Sequence, residues 1–275
     1  MIRPIMLIAR QDLLISARNR WLHCFAGLFA ALTVLVSYFG MVTSGYSGFQ
    51  DFTRTAASIT SLAGFAIPLV ALILGVFSFL SHREYLDLLV AQPISRLQIL
   101  LGKYVGLLLT VTGSSILGLG LPGIFISLAI GTQGALQYGL VVLQAAMLAA
   151  VFCGIALATA LVARRRQVAL GIAIGIWLFF ELIYGMLMLG STLYFSPAFL
   201  KTFLIAGLLG NPIDLMRVAS LLVVGGPHLF GPGGATLIKL VGSTSAALGL
   251  AWAGLIAWAV IPVLAAARLF ARQDL

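Results

Sequence analysis

Residues 136–162 read LQYGLVVLQAAMLAAVFCGIALATALV, and directly after Ala163 come Arg164, Arg165 and Arg166. No charge interrupts that run. A helix needs about 20 apolar residues to cross a bilayer, and a run this long ending on three arginines reads as a membrane-spanning helix anchored at its cytoplasmic end. A helix is required because hydrocarbon leaves the edge of an open strand unsatisfied. Five further runs have the same character, and the six spans expected are 21–42, 59–80, 104–130, 136–162, 168–190 and 246–266. The chain therefore reads as one all-α integral membrane domain over 1–275.

Composition agrees. Of 275 residues, 61% are hydrophobic and 8% charged, against about 25% charged in an ordinary soluble domain. The net charge of +9 does not suggest nucleic-acid binding, because the basic residues fall in short clusters between apolar runs. Arg3, Arg10, Arg18, Arg20, Arg83, Arg96, Lys103, Arg164, Arg165, Arg166, Arg268 and Arg272 fall on one side. Arg54, Lys201, Arg217 and Lys239 fall on the other. That bias puts the first side, with both termini, in the cytoplasm. The early apolar stretch from Ile5 to Ile8 is too short for a signal peptide, so the first span is expected to stay as an anchor.

Two segments outside the spans carry pattern. Arg3 to Arg20 mixes apolar and charged residues at helical spacing, as an amphipathic helix on the cytoplasmic surface does. Residues 191–245 hold two apolar runs around Asn211-Pro212-Ile213-Asp214, then a Gly/Pro-rich loop with Pro227 and Pro232. They read as short helices on or dipping into the outer face. A seventh span over 202–224 is the alternative, but it would have to bury Asp214 and Arg217 and would put the C-terminus outside, against the charge bias.

No catalytic constellation is present. There is no Walker A pattern, GxSxG or HExxH, so ATP, if used, binds another chain. Cys24 and Cys153 lack the spacing of a metal site or disulfide framework, and no metal or cofactor is expected. Glu181 is the one acid inside a span. A charge there costs roughly 2.5–3.5 kcal/mol on insertion scales, so it should face protein, a wet cavity or a dimer interface, or be protonated; the alternative is an acid near the outer interface bonded to a neighbouring helix. Met147, Met186 and Met188 have the softness to pass copper(I), but methionine more often simply packs; His23 beside Cys24 is equally weak. Gly171 and Gly175 form a GxxxG helix-packing pair. Asp214 and Arg217, three apart, can pair on one helix face and are expected at the outer surface, as a docking patch.

The cytoplasmic stretch 81–103, SHREYLDLLVAQPISRLQILLGK, reads as a short helix ended by Pro93, with Ser95 capping the next helix. It resembles the signature of ABC-2 type transporter permeases: Leu86-Asp87-Leu88-Leu89-Val90-Ala91-Gln92-Pro93-Ile94-Ser95-Arg96, then Gly102-Lys103, with Glu84-Tyr85 where Gly-Thr is usual. The likeness continues through Arg10-Gln11-Asp12, Arg18-Asn19-Arg20-Trp21, and the ending Arg268-Leu269-Phe270-Ala271-Arg272-Gln273-Asp274-Leu275. Within the family it is most similar to permeases of transporters that mature nitrous oxide reductase, through its length, its ending and the run from Asn211 to Arg217.

The resemblance implies a non-catalytic subunit of the bacterial inner membrane. It implies a second copy of the chain, two copies of a cytoplasmic ABC ATPase, a periplasmic accessory protein, and service to a copper–sulfur centre. It makes Glu84, Tyr85, Leu86, Asp87, Leu88, Leu89, Pro93 and Arg96 the ATPase-coupling residues. An ABC-2 exporter of another small molecule is the nearest alternative. A proton-coupled carrier using Glu181 would need more intramembrane charges or internal repeats, and a membrane-embedded enzyme lacks a catalytic cluster.

Overall fold

A computed structural model describes residues 2–43, 49–80, 89, 92–130, 132–163, 165–191, 193, 197–225 and 242–272. Among them there is no strand. The helices are α1 (Ile2–Ala17), α2 (Arg20–Thr43), α3 (Phe49–Leu80), α4 (Arg96–Ile130), α5 (Thr132–Ala163), α6 (Arg166–Leu178), α7 (Tyr184–Ser191), α8 (Pro197–Gly210), α9 (Pro212–Val224) and α10 (Thr244–Ala271). A π-helical turn, Phe179–Ile183, joins α6 to α7.

Six helical stretches are long and apolar enough to cross a membrane: α2, α3, α4, α5, the α6–π–α7 rod, and α10. Helices α3 and α4 begin at Phe49 and Arg96, well before the apolar runs at 59 and 104. Apolarity marks only the lipid-immersed part of a helix, and here backbone hydrogen bonding carries each helix further. Residues 202–210 and 212–224 do not form a straight seventh span, because the two helices meet at 104°. Asn211 makes that elbow. Its extended backbone starts α9, its side chain accepts from the Ile213 N–H at 3.0 Å, and Pro212 follows where a helix has no N–H to lose. Gly225, in the left-handed region, ends α9.

Helix α5 is the hub, packed against α3, α4, α6, α9 and α10. Its Leu148, Phe152 and Ala156 join Ile67, Leu72 and Val76 of α3 and Leu107 and Val111 of α4 in one core. Gly75 lies so close to Ala156 that a side chain there would collide with it. Of the apolar stretch of α5, 61% is buried, against 6% for the fifth span. One side of that span packs on α3, while Val168, Ile172, Ile174, Leu182 and Met186 face outward.

Helix α1 does not merely rest on the membrane surface. It crosses the start of α4 where that helix has glycines: a Cβ on Gly102 would sit 2.7 Å from the Ile8 Cβ, and one on Gly106 would sit 2.8 Å from the Asp12 Cβ. The outward face of α1 keeps Met6, Leu7, Leu14 and Ile15 exposed, as an interfacial helix does.

Candidate functional site

Two polar assemblies stand out, one at the end of the bundle where α1 docks, called the base here, and one inside the bundle. At the base, the Lys103 ammonium donates to Asp12 Oδ1 at 3.2 Å and to the Ser78 carbonyl at 3.0 Å, and the Ser78 hydroxyl donates to Asp12 Oδ2 at 2.9 Å. The Lys103 side chain is 1% exposed and that of Asp12 6%. Removing one member of a pair this buried typically costs 3–5 kcal/mol, because the other charge is stranded. The three residues come from α1, the end of α3 and the start of α4. Ser78 and Lys103 therefore flank the 81–95 stretch on either side and are tied together through Asp12.

The rest of that stretch is fixed at its far end. Ser95 accepts from the Gln98 N–H at 3.3 Å while Gln98 Oε1 accepts from the Ser95 N–H at 3.1 Å, a reciprocal cap on α4. The Arg96 guanidinium donates to the carbonyls of Phe270 and Ala271, both at 3.2 Å, at the C-terminus of α10, where a cation is favoured. Leu89 is buried with Phe79, Ile99, Leu100 and Phe270, whereas Pro93 is exposed. Glu84, Tyr85, Leu86, Asp87 and Leu88 lie outside the described residues. Three sequence patches that carry the family likeness thus converge on one base: Arg10 to Asp12, Pro93 to Lys103, and the segment from Arg268. Their separation along the chain hides this.

The second assembly forms where the elbow meets the fifth span. The Tyr184 N–H reaches back to the Phe179 carbonyl, which releases the Phe180 carbonyl from its usual helical partner. Asn211 Nδ2 donates to that carbonyl at 2.9 Å and to Asp214 Oδ2 at 2.8 Å. Arg217 then bridges two carboxylates: Glu181 Oε1 at 2.5 Å and Asp214 Oδ1 at 3.4 Å. The Glu181 side chain is 9% exposed, Arg217 26% and Asp214 31%. Glu181 Oε2 and Arg217 Nε are buried without hydrogen-bond partners. Gly64 of α3 lies against the guanidinium, where its Cβ would come within 3.2 Å of Nε. Phe180 lies near the middle of the fifth span, and Trp258, whose Nε1 donates to the Leu209 carbonyl at 2.9 Å, lies near the middle of α10. The elbow therefore dips to mid-span depth, with Asp214 and Arg217 on the first turns of the helix that leaves it. Their i,i+3 pairing is present, and Glu181 is the third member that the linear sequence does not reveal.

The remaining singled-out residues fall elsewhere. A Cβ added at Gly171 or Gly175 meets nothing within 4 Å among the described residues. Met186 is 74% exposed, while Met188 packs on Gly207. Cys24 is exposed and Cys153 buried, and the His23 ring bonds the Ala17 carbonyl at 2.8 Å. Among the described residues no three His, Cys, Asp or Glu side chains converge as a metal would need.

A six-span helical bundle with a surface helix docked at its base and a helical hairpin dipping in from one side is the architecture of a transporter membrane subunit. Residues 6–275 match the ABC-2 family transporter protein family, and the chain belongs to that family as the permease subunit of an ABC transporter. It is 32% identical over 98% of its length to the "Probable ABC transporter permease protein NosY" of Pseudomonas aeruginosa, covering 98% of that protein. It is also 32% identical to the protein of the same name from Stutzerimonas stutzeri, over 97% of each chain.

Proposed function

We propose that this permease couples ATP hydrolysis by two copies of a separate cytoplasmic ATPase subunit to transport or mechanical signalling across the bacterial inner membrane. It acts as a homodimer, in maturation of the copper–sulfur centre of nitrous oxide reductase. The supporting observation is the base: the stretch that resembles the ATPase-coupling signature lies between Ser78 of α3 and Lys103 of α4, and Asp12 bonds to both. Motion imposed on such a stretch is delivered to α1, α3 and α4 together rather than absorbed by a loose loop. The fit to nitrous oxide reductase rests on sequence likeness, above all the run from Asn211 to Arg217. An accessory protein on the outer side belongs to this reading, with Asp214 and Arg217 setting the pose of the hairpin it would meet.

Affinity-tagged permease should carry the ATPase with it through purification. Asp87→Arg should weaken that association while leaving the permease inserted, since a docking helix seats its apolar residues in the partner and sets charges at the rim. Undiminished ATPase binding and full activity in that variant would remove Asp87 and its neighbours from the coupling role. Reductase purified from cells lacking the permease should lack the absorption of its copper–sulfur centre; a normal spectrum would break the link to that enzyme.

A further inference from the structure

A cavity of about 730 Å³ opens between α1, α2, α3 and α6, within the range of about 300–1,000 Å³ that encloses small ligands. Its walls are apolar: Val70, Ile73, Leu74 and Phe77 of α3, with Leu170 and Ile174 of α6. Its polar end lies where those helices reach the cytoplasmic side, at Asp12, Ser16, Asn19, Ser78 and Arg166. The Asp12 carboxylate there is already engaged by Lys103 and Ser78. The Arg166 guanidinium lies 4.1 Å from the Phe77 ring centroid, which holds the cation at the mouth. Arg18 and Arg20 at the α1–α2 turn and Arg165 before α6 place further positive charge beside it. None of the three ion pairs among the described residues uses any of these arginines.

We propose that this cavity holds an anionic phospholipid of the cytoplasmic leaflet as a fixed ligand, with its acyl chain along α3 and α6 and its phosphate at Arg166. An apolar channel ending in a cluster of cations at the membrane surface matches a lipid in both shape and charge order. Basic pockets between helices on this side take anionic head groups. The hydrocarbon part keeps the channel dry, as an apolar cavity prefers. A second copy of this chain is the poorer occupant. A two-fold contact brings identical patches together, so it would set the arginines of one mouth against those of the other with no anion between.

The test uses the full-length permease purified in mild detergent, with bound lipids counted by native mass spectrometry. The probes are added phosphatidylglycerol, phosphatidylethanolamine, and glycerophosphoglycerol, which has the head group but no chains. Wild type should retain phosphatidylglycerol in preference to phosphatidylethanolamine and ignore glycerophosphoglycerol. Arg166→Gln should reduce the preference about fivefold, the effect of one surface cation, and Ile174→Trp should lower retention of both lipids by filling the channel. If Ile174→Trp does not fold, Leu170→Phe fills the same space more gently and carries the same expectation. Unchanged retention and preference in Arg166→Gln and in the filling variant would overturn the proposal. Competition by glycerophosphoglycerol equal to that by phosphatidylglycerol would overturn it in favour of a soluble phosphate ligand. Efficient disulfide formation between two copies carrying Ile174→Cys would overturn it in favour of a subunit contact.

Discussion

The two ion assemblies of this bundle differ in arithmetic. At the base, one cation meets one carboxylate, and every strong group between Asp12, Ser78 and Lys103 has a partner. At the elbow, one guanidinium serves two carboxylates, and Glu181 Oε2 and Arg217 Nε stay buried without partners. The first arrangement has a single low-energy geometry and behaves as a fastener. The second is less closed: Arg217 can let go of Asp214, which keeps Asn211, but letting go of Glu181 would leave that buried carboxylate without a cation. A closed fastener at the base and a less closed contact deep in the span would suit the proposed machine, which receives force at one end and changes shape in its middle.

The largest effect should come from the fastener. Lys103→Met leaves Asp12 buried and unpaired and should cost about 3–5 kcal/mol, read as loss of folded permease in membranes and a lower melting temperature in detergent. The double variant Asp12→Leu with Lys103→Met should recover much of that loss, because an apolar pair strands no charge. Failure to recover would mean that the hydrogen bonds to Ser78, rather than the charges, matter most.

At the elbow the same logic predicts less loss of stability and more loss of activity. Glu181→Gln keeps the shape, and Arg217 keeps Asp214. Folding should change by about 1 kcal/mol, the net worth of one hydrogen bond, while transport-coupled ATP hydrolysis falls several-fold. A Glu181→Gln protein as destabilised as Lys103→Met would erase the contrast between the two sites.

The glycine pairs give a third comparison. Gly106→Leu should dislodge α1, since even a Cβ there meets Asp12 and Ala9, and limited proteolysis should then cut between α1 and α2. Gly175→Leu should leave the monomer's melting temperature unchanged and, if the exposed face of the fifth span is covered by a second copy, lower the dimer fraction on size exclusion. The smallest effect belongs to the cap: Ser95→Ala should cost about 1 kcal/mol, seen as earlier fraying of the start of α4 in hydrogen exchange.

Much of the fold was legible because lipid imposes simple rules. The apolar runs gave the six spans, and Ser95 announced the start of α4 by its own chemistry. The sites were less legible for a geometric reason. Glu181 and Arg217 are 36 positions apart and meet only because a π turn and a 104° elbow bring them level, and a π turn has no residue signature. Gly171 and Gly175 stood out as a GxxxG pair, yet a Cβ there meets nothing within 4 Å among the described residues, while Gly102 and Gly106, at the same spacing, seat α1; spacing alone does not say which helix has a neighbour. The meeting of Asp12 and Lys103 is not legible in the sequence, because helix periodicity cannot show that α1 folds back over α4.

The π turn has a rotational consequence. It holds one residue more than the same length of α-helix, and each residue of an α-helix turns the chain by about 100°. Straightening Phe179–Ile183 into plain α-helix would therefore unscrew the N-terminal half of the fifth span against its C-terminal half by roughly that angle. Val168, Ile172 and Ile174 would sweep to a new bearing while Met186 and Leu189 stayed in place. The Asn211 amide grips the Phe180 carbonyl, the one that such straightening would reclaim, so the hairpin elbow acts as the pawl of this screw.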